Sequence, residues 1–315
     1  NKTRILLVSA MFPLAKSKHS VEDYEIWVSK FLRPITTDVY FYTTPDFAPV
    51  VQRARGFDLS ITIDTSYTSP FYVPPMNGLE TVYSEMHNQD REKFRHSPDL
   101  YAVWNAKPFL LDAAVKFLAR RGEIYDYAFW NDAGSFRDEH QYKAWPDPGR
   151  VDQIWEKGSK LTGTKVEDLL FFPIFGAPGS TFKTWKEDIG PVDSEVSEGS
   201  FFGGSPKAVE WWCQTFYAYH DYYLSLGLFV GKDQNIINAL VLLFPNRIIT
   251  VWYRDPLAPA RAGLIPLFDE GYLGACGKEW WYYQFWLSGI PEREEMRKTW
   301  MDESSWSRWE WWKDR

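Results

Sequence analysis

The chain has 315 residues, of which 45% are hydrophobic and 24% charged, enough apolar material for the core of one compact α/β body. A net charge of −7 without a long basic run excludes a protein that binds nucleic acid non-specifically through its phosphates. Two cysteines and no apolar run of about 18 residues argue against a disulfide framework, a cysteine-based zinc cluster and a membrane-spanning helix.

The first part of the chain alternates between strand and helix patterns. Residues 4–10 predict a central strand, and residues 20–23 (SVED) predict a capping box that starts a helix running to Pro34. Asp38–Thr43 and residues 59–63 predict two more strands. This order of elements is typical of a doubly wound α/β sheet.

Residues 64–98 show little regular pattern, and we expect a loop and one surface helix there. Lys107-Pro108 is expected to open the next helix, because proline is tolerated in the first turn, and Gly122 is expected to end it. Residues 125–130 (YDYAFW) are aromatic with a single charge, which is typical of a strand buried on both faces.

The sequence NDAG (residues 131–134) follows this aromatic strand directly. In an open α/β sheet, ligands bind at the carboxyl ends of the strands, so Asp132 is placed to hold a cation or a sugar hydroxyl. The alternative is an Asx turn, which this sequence also favours. Lys107 and Ser9, the latter at the end of the first strand, are further candidates at this edge. The alternative for Lys107 is an ordinary solvated lysine.

The second part of the chain begins with two short strand patterns. Residues 169–175 predict a strand, and Pro173 indicates that it lies at an edge of the sheet. Residues 201–204 (FFGG) predict a strand that runs into a glycine turn. Gly203 and Gly204 are expected to permit close approach of the backbone, either to a substrate or to a neighbouring strand.

Two helices and a strand follow. Ser205-Pro206 is expected to cap a long helix, and residues 231–234 (GKDQ) are expected to start another. Asp233 at this start could accept the proton of an attacking hydroxyl, and the alternative is a simple N-cap. Residues 248–253 predict the last strand. The aromatic tail from residue 269 is expected either to pack over the sheet or to line a binding groove.

Several common catalytic motifs are absent from the sequence. There is no HExxH, no pair of CxxC motifs and no EF-hand loop, and neither GxxxxGK[ST] nor GxGxxG occurs. The nucleophile elbow GxSxG is missing too. These absences remove the common hydrolase, NTPase and dehydrogenase interpretations, and they leave carboxylate chemistry at the strand ends.

Four segments resemble one family when they are taken in order: YAVWNAKPFLL, YDYAFWNDAG, FFGGSPKAV and GLFVGKDQNIINAL. They are similar to the HtrL/YibB-type proteins and, more broadly, to GT-A-fold glycosyltransferases. This resemblance implies a Rossmann-like mixed sheet flanked by helices, in one catalytic domain over residues 1–315. Residues 1–134 would bind the nucleotide-sugar, and residues 135–315, with the aromatic tail, would bind the acceptor.

The resemblance also implies roles for single residues. A nucleotide-sugar, expected to be a UDP-sugar, would donate a sugar to a hydroxyl of a glycan or glycoconjugate, with Asp233 as the general base. Donor contacts would come from Ser9, Lys107, Asn131, Asp132 and Gly134. Acceptor contacts would come from Gly203, Gly204 and Gln234.

The chain departs from the GT-A pattern at one position. These enzymes usually carry Asp-x-Asp after the central strand, and here the matching positions are Asp132 and Gly134, so the second carboxylate is missing. Asp132 alone would hold Mn²⁺ or Mg²⁺ together with the donor pyrophosphate. Without a metal, Lys107 and helix N-termini would have to offset the charge of the leaving group.

Two other functions stay open from the sequence. The first is a non-catalytic carbohydrate-binding protein that keeps the fold, which the missing carboxylate favours. The second is a nucleotidyltransferase, which would need a glycine-rich loop after the first strand, and residues 11–20 contain no glycine. The compartment stays open as well, and one expectation is the lumenal part of a secretory-pathway (Golgi) membrane protein.

Overall fold

One mixed sheet of seven strands organises the part of the chain that the structure describes. The computed structural model describes residues 3–16, 19–252 and 279–303. The strands are β1 (Ile5–Met11), β2 (Asp38–Thr43), β3 (Ile61–Asp64), β4 (Tyr127–Asn131), β5 (Leu170–Ile174), β6 (Phe201–Gly204) and β7 (Ile248–Trp252). They lie in the order β3-β2-β1-β4-β6-β5-β7, and β6 alone runs antiparallel to its neighbours in this sheet.

Helices cover both faces of the sheet. They are α1 (Val21–Leu32), α2 (Ala48–Arg55), α3 (Glu80–Met86), α4 (Pro98–Arg120), α5 (Pro148–Thr162), α6 (Pro206–Ser225), α7 (Asp233–Leu243), α8 (Tyr282–Trp286) and α9 (Ile290–Glu303). One buried apolar cluster joins α3, α4, α6 and α7 to the sheet, and a second joins α1, α2, α5, α8 and α9 to the other face. The predicted α/β fold with a Rossmann-like mixed sheet flanked by helices is confirmed.

The direction of winding changes between β1 and β4. The chain moves from β1 to β2 and β3 with α1 and α2 on one face, then crosses back to β4 with α4 on the other face. At such a switch point, the loops after the two central strands separate and leave a crevice at the carboxyl edge of the sheet. The loop after β1 and the NDAG sequence after β4 lie at this carboxyl edge.

Local sequence signals determine several of these elements. The capping box at Ser20 and Asp23 is present, with each side chain accepting the backbone N–H of the other residue. The strand predicted at Asp38–Thr43 has these bounds in the structure. The strand around Pro173, in contrast, is not at an edge, because β5 lies between β6 and β7. The pairing of β5 with β6 ends at Phe171, so Pro173 does not have to donate a backbone hydrogen bond to β6.

Helix α4 begins at Pro98, with Ser97 as its N-cap, so the predicted helix start at Lys107-Pro108 is wrong. Pro108 lies inside the helix, where its ring and missing N–H would normally break the hydrogen-bond ladder. The Tyr217 hydroxyl from α6 repairs this break, because it accepts the Phe109 N–H at 3.3 Å and donates to the Asn105 carbonyl at 2.7 Å. Lys107 therefore lies in the middle of a long helix.

Replacing Tyr217 by phenylalanine is expected to lower the free energy of unfolding by about 1–3 kcal/mol, because it leaves the buried Asn105 carbonyl and the Phe109 N–H without their bridge. Tyr222→Phe on the same helix is the matched control, since Tyr222 is exposed and its change should cost less than about 0.5 kcal/mol. Chemical denaturation of both variants measures the difference. Equal stability of the two would show that the hydroxyl does not support α4.

Part of the aromatic tail packs on the sheet. Tyr283 of α8 stacks on Phe201 of β6 with ring centroids 4.9 Å apart, and it is fully buried. The beginning of the predicted tail, residues 269–278, lies outside the described residues. None of the described helices has the length and apolar character needed to cross a bilayer.

Candidate functional site

The carboxylate of Asp132 lies at the carboxyl edge of the sheet, directly after the buried strand β4. Its Oδ1 accepts the indole N–H of Trp130 at 2.6 Å, and its backbone N–H donates to the Ser200 carbonyl at 2.9 Å. One third of the Asp132 side chain remains exposed (33%). Asp132 is thus held in place by β4 and by the residue before β6, and it stays partly exposed at the carboxyl edge of the sheet.

Lys107 on helix α4, which packs on one face of the sheet, reaches the Asp132 carboxylate. The Lys107 ammonium lies 3.2 Å from Asp132 Oδ1 and donates to the Gly199 carbonyl at 3.0 Å. Two residues earlier on α4, the Asn105 amide donates to the carbonyls of Val230 and Gly231. Asn105 therefore fixes α4 against the segment that leads into α7, and this contact sets the position of Lys107.

Asp233 is the first residue of α7, and its carboxylate completes the group. Its Oδ2 lies 3.1 Å from the Lys107 ammonium, and its Oδ1 accepts the Gln234 backbone N–H at 2.8 Å. Gly199 lies so close that a Cβ there would come within 2.8 Å of Asp233 Oδ2. We call Lys107, Asp132 and Asp233 the charged triad.

The charged triad differs in exposure from one member to the next. The Lys107 and Asp233 side chains are 5% and 9% exposed, against 33% for Asp132. A fully buried charge is stable only when it is paired, and here one ammonium lies between two carboxylates. Asp132 is consequently the member that a ligand can contact.

Burial and pairing shift the pKa values of the two buried members. Burial alone would lower the pKa of the Lys107 ammonium, but Asp132 and Asp233 together raise this pKa above its ordinary value. Burial raises the pKa of the Asp233 carboxyl, and Lys107 opposes this effect. With all three groups ionised, the triad carries a net charge of −1.

Two predicted donor residues belong to the turn itself. The Asn131 amide donates to the Asp132 carbonyl, and Asn131 Oδ1 accepts the Ser135 hydroxyl at 3.1 Å, so this buried side chain shapes the turn. Gly134 packs against the rings of Tyr24 and Trp27, and a Cβ there would come within 3.1–3.2 Å of both. The turn is closed by its backbone, since the Ser135 N–H donates to the Asp132 carbonyl at 3.0 Å, while the Asp132 carboxylate contacts Trp130 and Lys107. The turn is therefore not an Asx turn of Asp132, and the donor contacts of Asn131 and Gly134 stay predictions.

Three other predicted residues lie within strands of the sheet. Ser9 is fully buried within β1, two residues before the strand ends. Gly203 and Gly204 pair with Phe129 and Ala128 at the opposite end of β4, because β6 is antiparallel. Their lack of side chains serves the neighbouring strands: a Cβ on Gly203 would overlap the Ala128 carbonyl. Of the two alternatives, approach to a strand is the one observed, and the acceptor contact of these glycines stays a prediction.

Gln234 lies next to Asp233 at the start of α7. Its amide donates to the Ser197 carbonyl at 2.6 Å and to Glu195 Oε2 at 3.3 Å. These bonds hold the segment before β6, which supplies the Gly199 and Ser200 carbonyls to the site. Its predicted acceptor contact stays a prediction.

The residues at Asp132 do not fit the predicted Mn²⁺ or Mg²⁺. A hard divalent cation takes several oxygen ligands, and the nearest second carboxylate, Asp233, is turned towards Lys107. The ammonium between the two carboxylates would repel a second cation, and Asp132 Oδ1 already accepts the Trp130 indole N–H. The positive charge that binds these carboxylates is that of Lys107.

Another polar cluster lies in residues 90–96, where the sequence shows little regular pattern. Asp90, Glu92 and His96 offer ligand atoms within 4.8 Å of one another, an arrangement that could hold a metal ion. Asp90 Oδ2 already contacts His96 Nδ1 at 2.7 Å and accepts the Tyr101 hydroxyl at 2.7 Å. Glu92 is paired with Lys232 and with Arg95. The cluster is therefore a satisfied polar network that joins residues 90–96 to the N-cap of α7.

A cavity of about 600 Å³ lies elsewhere, on the outer surface between α1 and α2. Its lining includes Arg33, Arg53 and His140 and none of the residues of the charged triad. No member of the predicted site is brought to this cavity, so the switch-point edge remains the candidate site.

Comparison of the chain with protein-family models and with curated proteins gives no match. The resemblance to HtrL/YibB-type proteins therefore stays an expectation that the four sequence segments carry. What the structure adds independently is the Rossmann-like sheet and the partly exposed carboxylate at its switch point.

Proposed function

We propose that this chain is a glycosyltransferase, which moves a sugar from a nucleotide-sugar to a hydroxyl of a glycan or glycoconjugate. The observation that carries the proposal is the position of Asp132, a rigidly held and partly exposed carboxylate at the switch point between β1 and β4. Nucleotides bind at this point in open α/β sheets. The four HtrL/YibB-like segments support the same class and favour a UDP-sugar as donor.

In this proposal, Asp132 accepts hydrogen bonds from hydroxyls of the nucleotide-sugar. The Lys107 ammonium, which lies 3.2 Å from the Asp132 carboxylate, fixes the orientation of that carboxylate. Because Lys107 is rigidly placed, Asp132 does not need to reorganise when the donor binds, which lowers the cost of binding. The predicted role of Asp233 as general base stays a prediction. Its burial behind Lys107 favours a positioning role, in which Asp233 keeps the ammonium charged.

A nucleotide-binding experiment tests the proposal. Melting temperatures are measured with UDP, GDP and CMP, each at about 100 times the expected dissociation constant, where a specific ligand stabilises by about 2.7 kcal/mol. For a chain of this size we expect one nucleotide to raise the melting temperature by several degrees. Release of the same nucleotide from its sugar conjugate, in the presence of glycan acceptors, then measures turnover. A chain that none of the three stabilises would contradict the proposal.

A non-catalytic carbohydrate-binding protein is the second candidate, and one observation favours it. The Lys107 ammonium fills the space between the two carboxylates, where a metal-dependent transferase would place its cation. A binding protein of this kind would be stabilised by glycans and not by nucleotides. The nucleotide experiment therefore separates the two candidates, provided that the melting temperature is also measured with the glycan acceptor alone.

A further inference from the structure

The cavity between α1 and α2 is a concave surface outside the candidate site, and its volume of about 600 Å³ lies within the range of small-molecule sites. Its charged lining residues are Lys30, Arg33, Arg53, Glu25 and Glu139. Three basic side chains against two acidic ones make this lining positive, in a chain whose net charge is −7. The sign of its charge therefore favours an anionic ligand.

The two arginines belong to the same end of this cavity. Arg33 is the C-cap of α1, and Arg53 lies in the last turn of α2. The two helices run in the same direction, because each connects two neighbouring parallel strands. The buried Arg55 guanidinium joins their ends, since its Nη1 donates to the carbonyls of Leu32 and Ile35 at 3.1 and 2.6 Å. Arg55 therefore fixes the ends of the two helices that carry the arginines.

Arg33 and Arg53 are available for an anion. Across residues 3–16, 19–252 and 279–303, no carboxylate forms an ion pair with either guanidinium. Lys30, in contrast, is paired with Glu139 at 2.9 Å. Glu25 lies two helical turns before Arg33, about 12 Å away along the axis of α1. The negative ends of the helix dipoles stabilise both arginines without a carboxylate, so two guanidinium groups remain for a ligand.

Other parts of the cavity wall are uncharged. The His140 ring is neutral, because its Nε2 donates to the Lys30 carbonyl at 2.9 Å and its Nδ1 accepts the Tyr142 N–H at 3.2 Å. Burial lowers the pKa of His140 to about 4, in agreement with these bonds. Val50 and Ala54, four residues apart on α2, supply apolar surface to the cavity. The cavity thus combines a basic end with an apolar wall.

We propose that this cavity is a separate ligand site, which binds an organic phosphate monoester. Arg33 and Arg53 hold the phosphate group, and the apolar part of the ligand lies against Val50 and Ala54. A phosphate dianion matches the charge of two guanidinium groups, and each planar guanidinium can donate two parallel hydrogen bonds to phosphate oxygens. The cavity contains no residue of the charged triad, so this inference does not depend on the proposed function.

Calorimetric titration with phenyl phosphate tests the inference, with inorganic phosphate and phenol as comparison ligands. The unchanged chain should bind phenyl phosphate with a dissociation constant below about 1 mM. Each comparison ligand should bind at least about 10-fold more weakly, because it lacks either the apolar or the charged part. The double variant Arg33→Gln/Arg53→Gln should weaken the binding of phenyl phosphate at least about 10-fold. A melting temperature for each variant confirms that it is folded.

Arg120→Gln/Arg121→Gln is the matched control for charge. These two exposed arginines are the last residue and the C-cap of α4, on the other face of the sheet, so the control removes the same charge from a similar helix end. It should bind phenyl phosphate like the unchanged chain. Ser29→Phe tests the shape of the site, because it fills the cavity from α1 and keeps both cavity arginines. This variant should also weaken binding at least about 10-fold.

Three results would overturn the inference. The first is an unchanged chain that does not bind phenyl phosphate, and the second is a loss of binding in the α4 control equal to that in Arg33→Gln/Arg53→Gln. The third is equal affinity for phenyl phosphate and inorganic phosphate, which would show that the apolar wall takes no part. The cavity variant should still be stabilised by the nucleotide that stabilises the unchanged chain, and loss of that response would contradict two separate sites.

Discussion

Replacing Lys107 by methionine is expected to lower the free energy of unfolding by about 3–5 kcal/mol, the range for removing one partner of a buried ion pair. The change leaves the buried Asp233 carboxylate without its counter-charge, and Asp132 lies beside it with the same sign. Methionine keeps most of the side-chain volume, so the loss reports charge and not a cavity. Urea denaturation at pH 7 measures it.

The same variant should respond to pH in a characteristic way. The pKa of Asp233 is already raised in the folded chain, so its protonation stabilises the folded state at low pH, and this stabilisation is lost as pH rises through the folded pKa. Without Lys107 this pKa rises further, because no counter-charge then opposes the effect of burial, and the variant should recover stability as pH falls through the raised pKa. In the unchanged chain, the raised pKa of Lys107 affects stability in a different pH range. Its contribution to the free energy of unfolding is lost only as pH rises above about 10.4.

Two controls isolate the buried charge. Lys116 lies on the same helix, where it is half-exposed and paired with Asp112 and Glu210. Lys116→Met should therefore lower the free energy of unfolding by at most about 1 kcal/mol. The double variant Lys107→Met/Asp233→Asn should recover part of the stability and lose the pH response. A single variant as stable as Lys116→Met would contradict the buried-pair account.

Asp132→Asn is expected to reduce sugar transfer by about 10²–10³-fold, since it removes the charge at the one exposed member of the triad. The loss of stability should be about 1–2 kcal/mol, because Lys107 keeps Asp233 and the amide oxygen can still accept the Trp130 indole N–H. Steady-state transfer rates with the stabilising nucleotide's sugar conjugate, together with the melting temperature, measure both effects.

Asp126→Asn is the control for this experiment. Asp126 directly precedes β4, at the amino end of the strand that Asp132 follows. Its carboxylate accepts the Arg4 backbone N–H at 2.8 Å. This change should alter stability slightly and leave transfer unchanged. Equal transfer by both variants would contradict the proposed role of Asp132.

The sequence predicts well those features that neighbouring residues determine. The capping box at Ser20, the cap at Ser205 and the buried strand before Asp132 are each set within a few residues, and each is present. The position of Asp132 at the sheet edge follows from the same local pattern combined with the general topology of α/β sheets.

Features that depend on distant residues could not be predicted in this way. Pro108 signals a helix start unless a hydroxyl from α6 bridges the gap, and nothing near Pro108 identifies Tyr217 as that partner. A lysine such as Lys107 is expected at the surface from its residue type alone. Its burial becomes understandable only once the positions of its partners Asp132 and Asp233 are known. For the glycines of β6 the sequence leaves contact with a substrate and contact with a strand both open, because the direction of a four-residue strand, which reverses at β6, depends on its distant partners.

The charged triad draws on α4, the turn after β4 and the start of α7, which come from both predicted halves of the chain. Neither fragment, cut after residue 134, would carry a complete triad. A ligand that binds at Asp132 should consequently stabilise both halves of the chain, and slow proteolysis far from the switch point as well as beside it.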